Sequence, residues 1–192
     1  MAASAAPYGA KPIGTLSASG SFTGKVQHIK IASGYDTLIS WGDFVKLVAA
    51  GTIEKDTGTT TATPVGVFMG CSYTDPTTSQ PTYAQMWTAD VAASDAMAYV
   101  LTDPNVLFQM QGDGAITQAM LGSNFAIVVT AGSTTIGRSK NAVDQSTSNT
   151  TNTLPLRIVD YVDGPDSAVG DAYTDVIMKF NVGHQYVNTT GI

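Results

Sequence analysis

The residues whose types most readily do chemistry are two histidines, His28 and His184, one cysteine, Cys71, and one glutamate, Glu54. A cysteine beside a histidine would supply a thiolate nucleophile, and a Ser–His–Asp set would supply acyl transfer. Such partners meet in space, so their separation along the chain does not exclude a site. But no serine sits in a Gly-x-Ser-x-Gly elbow, and no His-Glu-x-x-His occurs. Glycoside hydrolysis needs paired carboxylates. A lone Glu54 rules out a glutamate pair and leaves aspartate pairs open. No Gly-x-x-x-x-Gly-Lys-Ser/Thr phosphate loop is present. Cys71 lies in the apolar run 65–73, on the parity of Val65, Val67 and Met69, which predicts a buried core residue. The expectation is a chain with no catalytic residue, no cofactor and no metal.

Two further groupings have a bland and a functional reading. Asp160, Asp163, Asp166, Asp171 and Asp175 form the densest acidic stretch. Calcium binds several carboxylates on a flexible loop, but the spacing does not match the EF-hand loop, and aspartates are good turn formers. Turn chemistry is the reading adopted, with cation binding left open. Trp41, Trp87, Tyr73 and Tyr83 would make a sugar-stacking platform if they shared a face; at strand positions aromatics more often pack cores or interfaces. The sequons at Asn149 and Asn188 are read as chance in a Thr-rich chain.

The scaffold that would position these residues is legible in the composition. Apolar residues make up 43% and charged residues only 12%. Disorder needs high charge and few large apolar groups, so a folded chain is expected. A surface so poor in charge suits a component of an assembly better than a solitary domain. The net charge is −6, and the nine lysines and arginines are scattered. Nucleic-acid binding needs clustered cations, and an anionic membrane surface repels an acidic chain, so neither partner is expected. A single cysteine allows no internal disulfide and suits a reducing cytoplasm. The N-terminal residues lack the charged and apolar regions of a secretory signal, and no run is long enough to span a membrane.

Residues 1–21 are Ala, Ser, Gly and Pro, with Tyr8, Ile13 and Leu16 interspersed. Pro7 and Pro12 forbid a regular helix there. This reads as an extended N-terminal arm, either a disordered tail or an arm ordered on a neighbouring subunit through Tyr8, Pro12 and Ile13. Residues 22–192 read as the main domain. Strands are expected over 22–31, 35–41, 44–48, 65–73, 83–87, 96–101, 106–111, 125–130, 156–162 and 173–182. Residues 115–121 are the best helix candidate, closed by Gly122. The Ser/Thr/Asn tract 145–154 reads as a long surface loop. The fold class is therefore all-β, an antiparallel barrel or sandwich of about ten short strands with one short helix.

Four segments carry a family likeness. They are Gly34-Tyr-Asp-Thr-Leu-Ile39, Gly42-Asp-Phe-Val45, Pro64-Val-Gly-Val-Phe-Met-Gly-Cys71 and Thr102-Asp-Pro-Asn-Val-Leu-Phe108. With Arg157–Tyr161, Lys179–Asn181 and His184–Tyr186 they resemble small virion proteins of tailed bacteriophages over residues 30–187. The resemblance implies capsid decoration, also called cement. That means a β-rich homo-oligomer, trimeric by preference, made in the host cytoplasm and docked on the major capsid protein at the outer shell. A tail, connector or head-fibre base role is the neighbouring alternative, and a carbohydrate-binding module the alternative from another class.

Overall fold

The computed structural model describes residues 4–16, 24–187 and 191–192. Among them are twelve strands: β1 (Lys11–Thr15), β2 (Val26–Lys30), β3 (Phe44–Leu47), β4 (Ile53–Lys55), β5 (Gly66–Thr74), β6 (Pro81–Ala84), β7 (Met97–Leu101), β8 (Val106–Gln111), β9 (Asn124–Val128), β10 (Ala142–Asn149), β11 (Leu156–Tyr161) and β12 (Asp175–Phe180). They form two antiparallel sheets, ordered β1-β8-β12-β11-β9-β10 and β2-β7-β5-β3-β4, with β6 on β5. The all-β reading holds.

Period-two alternation fixes which face each strand buries. Val106, Phe108 and Met110 of β8 and Val176, Met178 and Phe180 of β12 turn inward. They meet Phe44, Val67 and Leu101 from the second sheet, so one core fills the space between the sheets. Phe44, Phe108 and Phe180 pack there edge-on or tilted, with ring centroids 5.0–5.7 Å apart. The second sheet is apolar on both faces. Val45, Phe68 and Val100 point away from the first core into a second one, roofed by Ile31, Ile39 and Trp87. Each sheet also curls towards its own end: Gly112 bridges Val143, and Ile31 bridges Ile53. Curling shortens the unpaired edges.

Glycine matters at two places in β5. A Cβ on Gly66 would run into the Leu101 carbonyl of β7, so only glycine admits that approach. Gly70 has φ +139°, and the β5–β7 register slips between Phe68 and Gly70. This is a bulge. It also corrects the parity argument for Cys71. The residue is buried as expected, but it lies with Phe68 in the second core, whereas Val67 faces the first. The bulge inverts the alternation between them.

Four other expectations change. Residues 115–121 form only a 3-10 turn, Gln118–Met120. Ile116 is buried, and its N–H donates to Thr174 Oγ1 at 3.1 Å, so a tertiary bond takes the group a helix would have needed to place. The tract 145–154 is not all loop, because β10 runs to Asn149. Ala142 and Val143 anchor that strand in the core, and Thr147 Oγ1 accepts from the Ala126 N–H at 2.9 Å. Residues 35–41 are irregular, held by single bridges of Ile39 to Trp87 and Trp41 to Arg138. Finally, the N-terminal segment does not wait for a neighbouring subunit. β1 pairs with β8, Ala10 is fully buried, and the Ala10 N–H donates to the Gly42 carbonyl. Residues 1–3 and 17–21 of the expected arm lie outside the described residues.

Candidate interaction surface

The residues with chemical potential are placed apart. Cys71 is fully buried, and burial pushes its thiol up to about 12. Its Sγ donates to the Met86 carbonyl at 3.4 Å. His184 is buried against Phe180, ring centroids 4.9 Å apart. Burial lowers its pKa to about 4, opposed by the Val65 carbonyl and the Asp103 carboxylate. Its Nδ1 accepts from the Tyr186 N–H at 3.2 Å, so the neutral ring carries its proton on Nε2. Nε2 is turned towards Val65 without reaching hydrogen-bond geometry. His28 is exposed on β2, edge-on to Tyr99. Cys71 belongs to the second core and His184 packs on the first, so they do not form a pair.

A buried polar network that no sequence motif marks is centred on Asp43. Asp43 is fully buried; its Oδ2 accepts from Lys55 Nζ at 2.9 Å and from the Ser40 N–H at 2.8 Å. Its Oδ1 accepts from Ser139 Oγ at 2.6 Å, and Ser139 Oγ accepts from the Asn141 N–H at 3.1 Å. A serine, a lysine and a carboxylate together could suggest a nucleophile. Here Ser139 and Lys55 are 1% and 6% exposed. The network joins β4 and the residue before β3 to the segment 139–141 that leads into β10. No local motif announces it, since Ser139 is 96 residues from Asp43.

The aromatic set also separates. Trp87 is fully buried, packs edge-on to Tyr73 at 5.5 Å and donates Nε1–H to the Tyr35 carbonyl at 3.0 Å. Trp41 is half-buried with the Arg138 guanidinium 5.2 Å from its ring centre, and Tyr83 is 77% exposed. A four-residue stacking platform does not assemble. No group of three or more metal-ligating side chains occurs among the described residues.

The surface is where contact with a partner must be sought. Tyr8 is half-buried on its own chain beside Asp175; burial and that carboxylate push its hydroxyl pKa up. Tyr8 Oη and Asp175 Oδ1 face each other without closing a well-shaped hydrogen bond. Pro12 lies opposite Phe108 in β8. Ile13 sits at the β1 bulge and is exposed. Of the three arm residues singled out in the sequence, Ile13 alone is an exposed apolar side chain. Leu16, Val182, Tyr186 and Val187 are also exposed. The Leu16 N–H donates to the Asn105 carbonyl at 3.0 Å, and Asn105, Val182 and Val187 line one groove. That groove encloses about 410 Å³ and also carries Arg157 and Lys179.

No protein-family model matches the chain, and neither a curated protein nor a solved structure matches it.

Proposed function

We propose that this chain is a structural protein of a tailed-phage virion, a capsid decoration protein. It binds the outer shell of major capsid protein and stabilises contacts between capsid subunits, acting as a homo-oligomer with a trimer favoured. The likeness of residues 30–187 to small virion proteins is what names the particle. The observation that carries the mode of action is the exposed apolar rim of Ile13 and Leu16 along the edge strand β1. Its reactive side chains, Cys71, His184 and the Asp43–Lys55 pair, are spent on packing.

The mechanism is interfacial. Apolar side chains on the rim lose water against the shell, worth about 25 cal/mol per Å² before the costs of association. β1 ends its sheet, with no strand beyond it among the described residues, so a neighbour's strand can add there. Pro12 limits how far such pairing runs. Weak contacts repeated over one lattice gain by avidity. The experiment is co-sedimentation of the purified protein with expanded shells that lack it. Saturable binding that falls in Ile13→Asp and Leu16→Asp supports the reading. Shells that bind none, or binding that survives both changes, contradict it.

A further inference from the structure

The β11–β12 hairpin carries opposite charge at its two ends. Arg157 and Lys179 are direct cross-strand partners at the open end. Like charges directly opposite on a sheet are destabilising, so the pair needs a reason. No carboxylate among the described residues lies within ion-pair distance of either. Arg157 Nε donates to Asn124 Oδ1 at 2.8 Å, and Asn124 is 1% exposed, which fixes the guanidinium in place. Both cations open into the 410 Å³ groove, whose apolar walls include Pro104, Val182 and Val187. A fixed arginine, an unpaired lysine and apolar walls suit an acidic segment that also offers an apolar side chain.

The turn end of the same hairpin is such a segment. Asp163 and Asp166 are exposed on the tight turn where Gly164 bridges Ser167, and Val169 follows, exposed. At about 3.3 Å per residue along the strands, the two ends lie on the order of 15–20 Å apart. The turn therefore cannot fold back onto its own groove. Charges that far apart are also largely screened from each other at physiological salt.

We propose that the groove receives the 163–169 turn of a second copy of this chain, Asp163 and Asp166 meeting Arg157 and Lys179, and Val169 meeting Val182 and Val187. Made twice about a two-fold axis such a contact closes a dimer; made once per pair it is heterologous, head to tail. Repeated, it closes a ring if the rotation allows and otherwise runs on as a filament. The inference deepens the homo-oligomer part of the reading above and needs no capsid shell, so its failure leaves shell binding separately testable.

The test is sedimentation velocity over a concentration series reaching the millimolar range, at low and high salt. The wild-type chain is expected to associate at low salt and dissociate at high salt. Lys179→Glu alone and Asp163→Lys/Asp166→Lys alone are expected to stay monomeric. An equimolar mixture of the two is expected to pair one to one, because one supplies an intact turn and the other an intact groove. A wild-type chain monomeric throughout overturns the proposal, as does Lys179→Glu associating like wild type. A mixture that stays monomeric also overturns it, and points the groove to another protein's acidic segment. Circular dichroism checks that each variant is folded. Should Lys179→Glu fail to fold, Lys179→Gln gives the same reading as weakened association.

Discussion

Asp43 is surrounded by donors from three parts of the chain: Lys55, the Ser40 backbone and Ser139. Removing the lysine leaves a buried carboxylate with hydrogen bonds but no counter-charge. Breaking a buried pair from one side costs about 3–5 kcal/mol. Lys55→Met should therefore lower the unfolding free energy measured in urea by that amount, whereas replacing an exposed cation such as Lys30 should change it by less than about 0.5 kcal/mol. Cys71 should resist thiol reagents in the native protein and react on unfolding; rapid native labelling would contradict its placement. His184 gives a pH signature. Its native pKa, about 4, lies below the ordinary 6.5, so the neutral form is the one the fold accommodates. Its contribution is complete above pH 6.5 and is lost as the pH falls from there towards 4. Asp56 and Asp175 have pKa values raised by burial, so their contribution has the opposite sign and falls as the pH rises. The difference in stability between wild type and His184→Leu isolates the histidine. It should shrink on acidification through that window, and a pH-independent difference would sink the assignment.

At the scale of elements, the sequence was readable where side chains alternate and unreadable where the backbone or distant partners decide. Val106–Met110 and Val176–Phe180 announce strands because each buries every second residue. β10 did not, because Ser146, Thr147 and Ser148 look like loop residues and sit in a break of register between the paired residues Asp144 and Asn149, on a strand anchored by Ala142 and Val143. The Gly70 bulge is invisible in an apolar run, so Cys71 was assigned the right burial by a faulty parity. Of the candidate site, Ile13 was legible as an apolar side chain in a small-residue segment. Val182 and Val187 come to one groove with Asn105, to which the Leu16 N–H bonds, only when the C-terminal segment docks. That docking rests on Gln185, whose side chain accepts from the Leu47 N–H and donates to the Leu47 carbonyl at 2.7 and 3.0 Å. The N-terminal segment is likewise an element of the fold. Deleting residues 1–16 removes β1 and buried Ala10. At about 1 kcal/mol net per lost backbone hydrogen bond, the deletion should cost about 2–4 kcal/mol in denaturant unfolding. An unchanged midpoint would return the segment to the status of a free arm.

The whole molecule is a middle sheet, apolar on both faces, between a second sheet and a roof of loops. Among its exposed apolar groups, Ile13 and Leu16 lie at the β1 end and Val182, Tyr186 and Val187 in the C-terminal segment. Low charge keeps the surface neutral enough to be covered, while the hairpin of β11 and β12 retains opposite charge at its ends. On the function proposed above, these properties serve a part that docks and repeats. The measurement that tests this most directly is electron cryo-microscopy of purified virions with the chain's density located on the particle. The account predicts β-rich density on the outer face of the capsid shell, with the surface around Ile13 and Leu16 turned towards major capsid protein. Density confined to the tail or connector, or shells that remain fully stable and show no missing density when the chain is deleted, would contradict it.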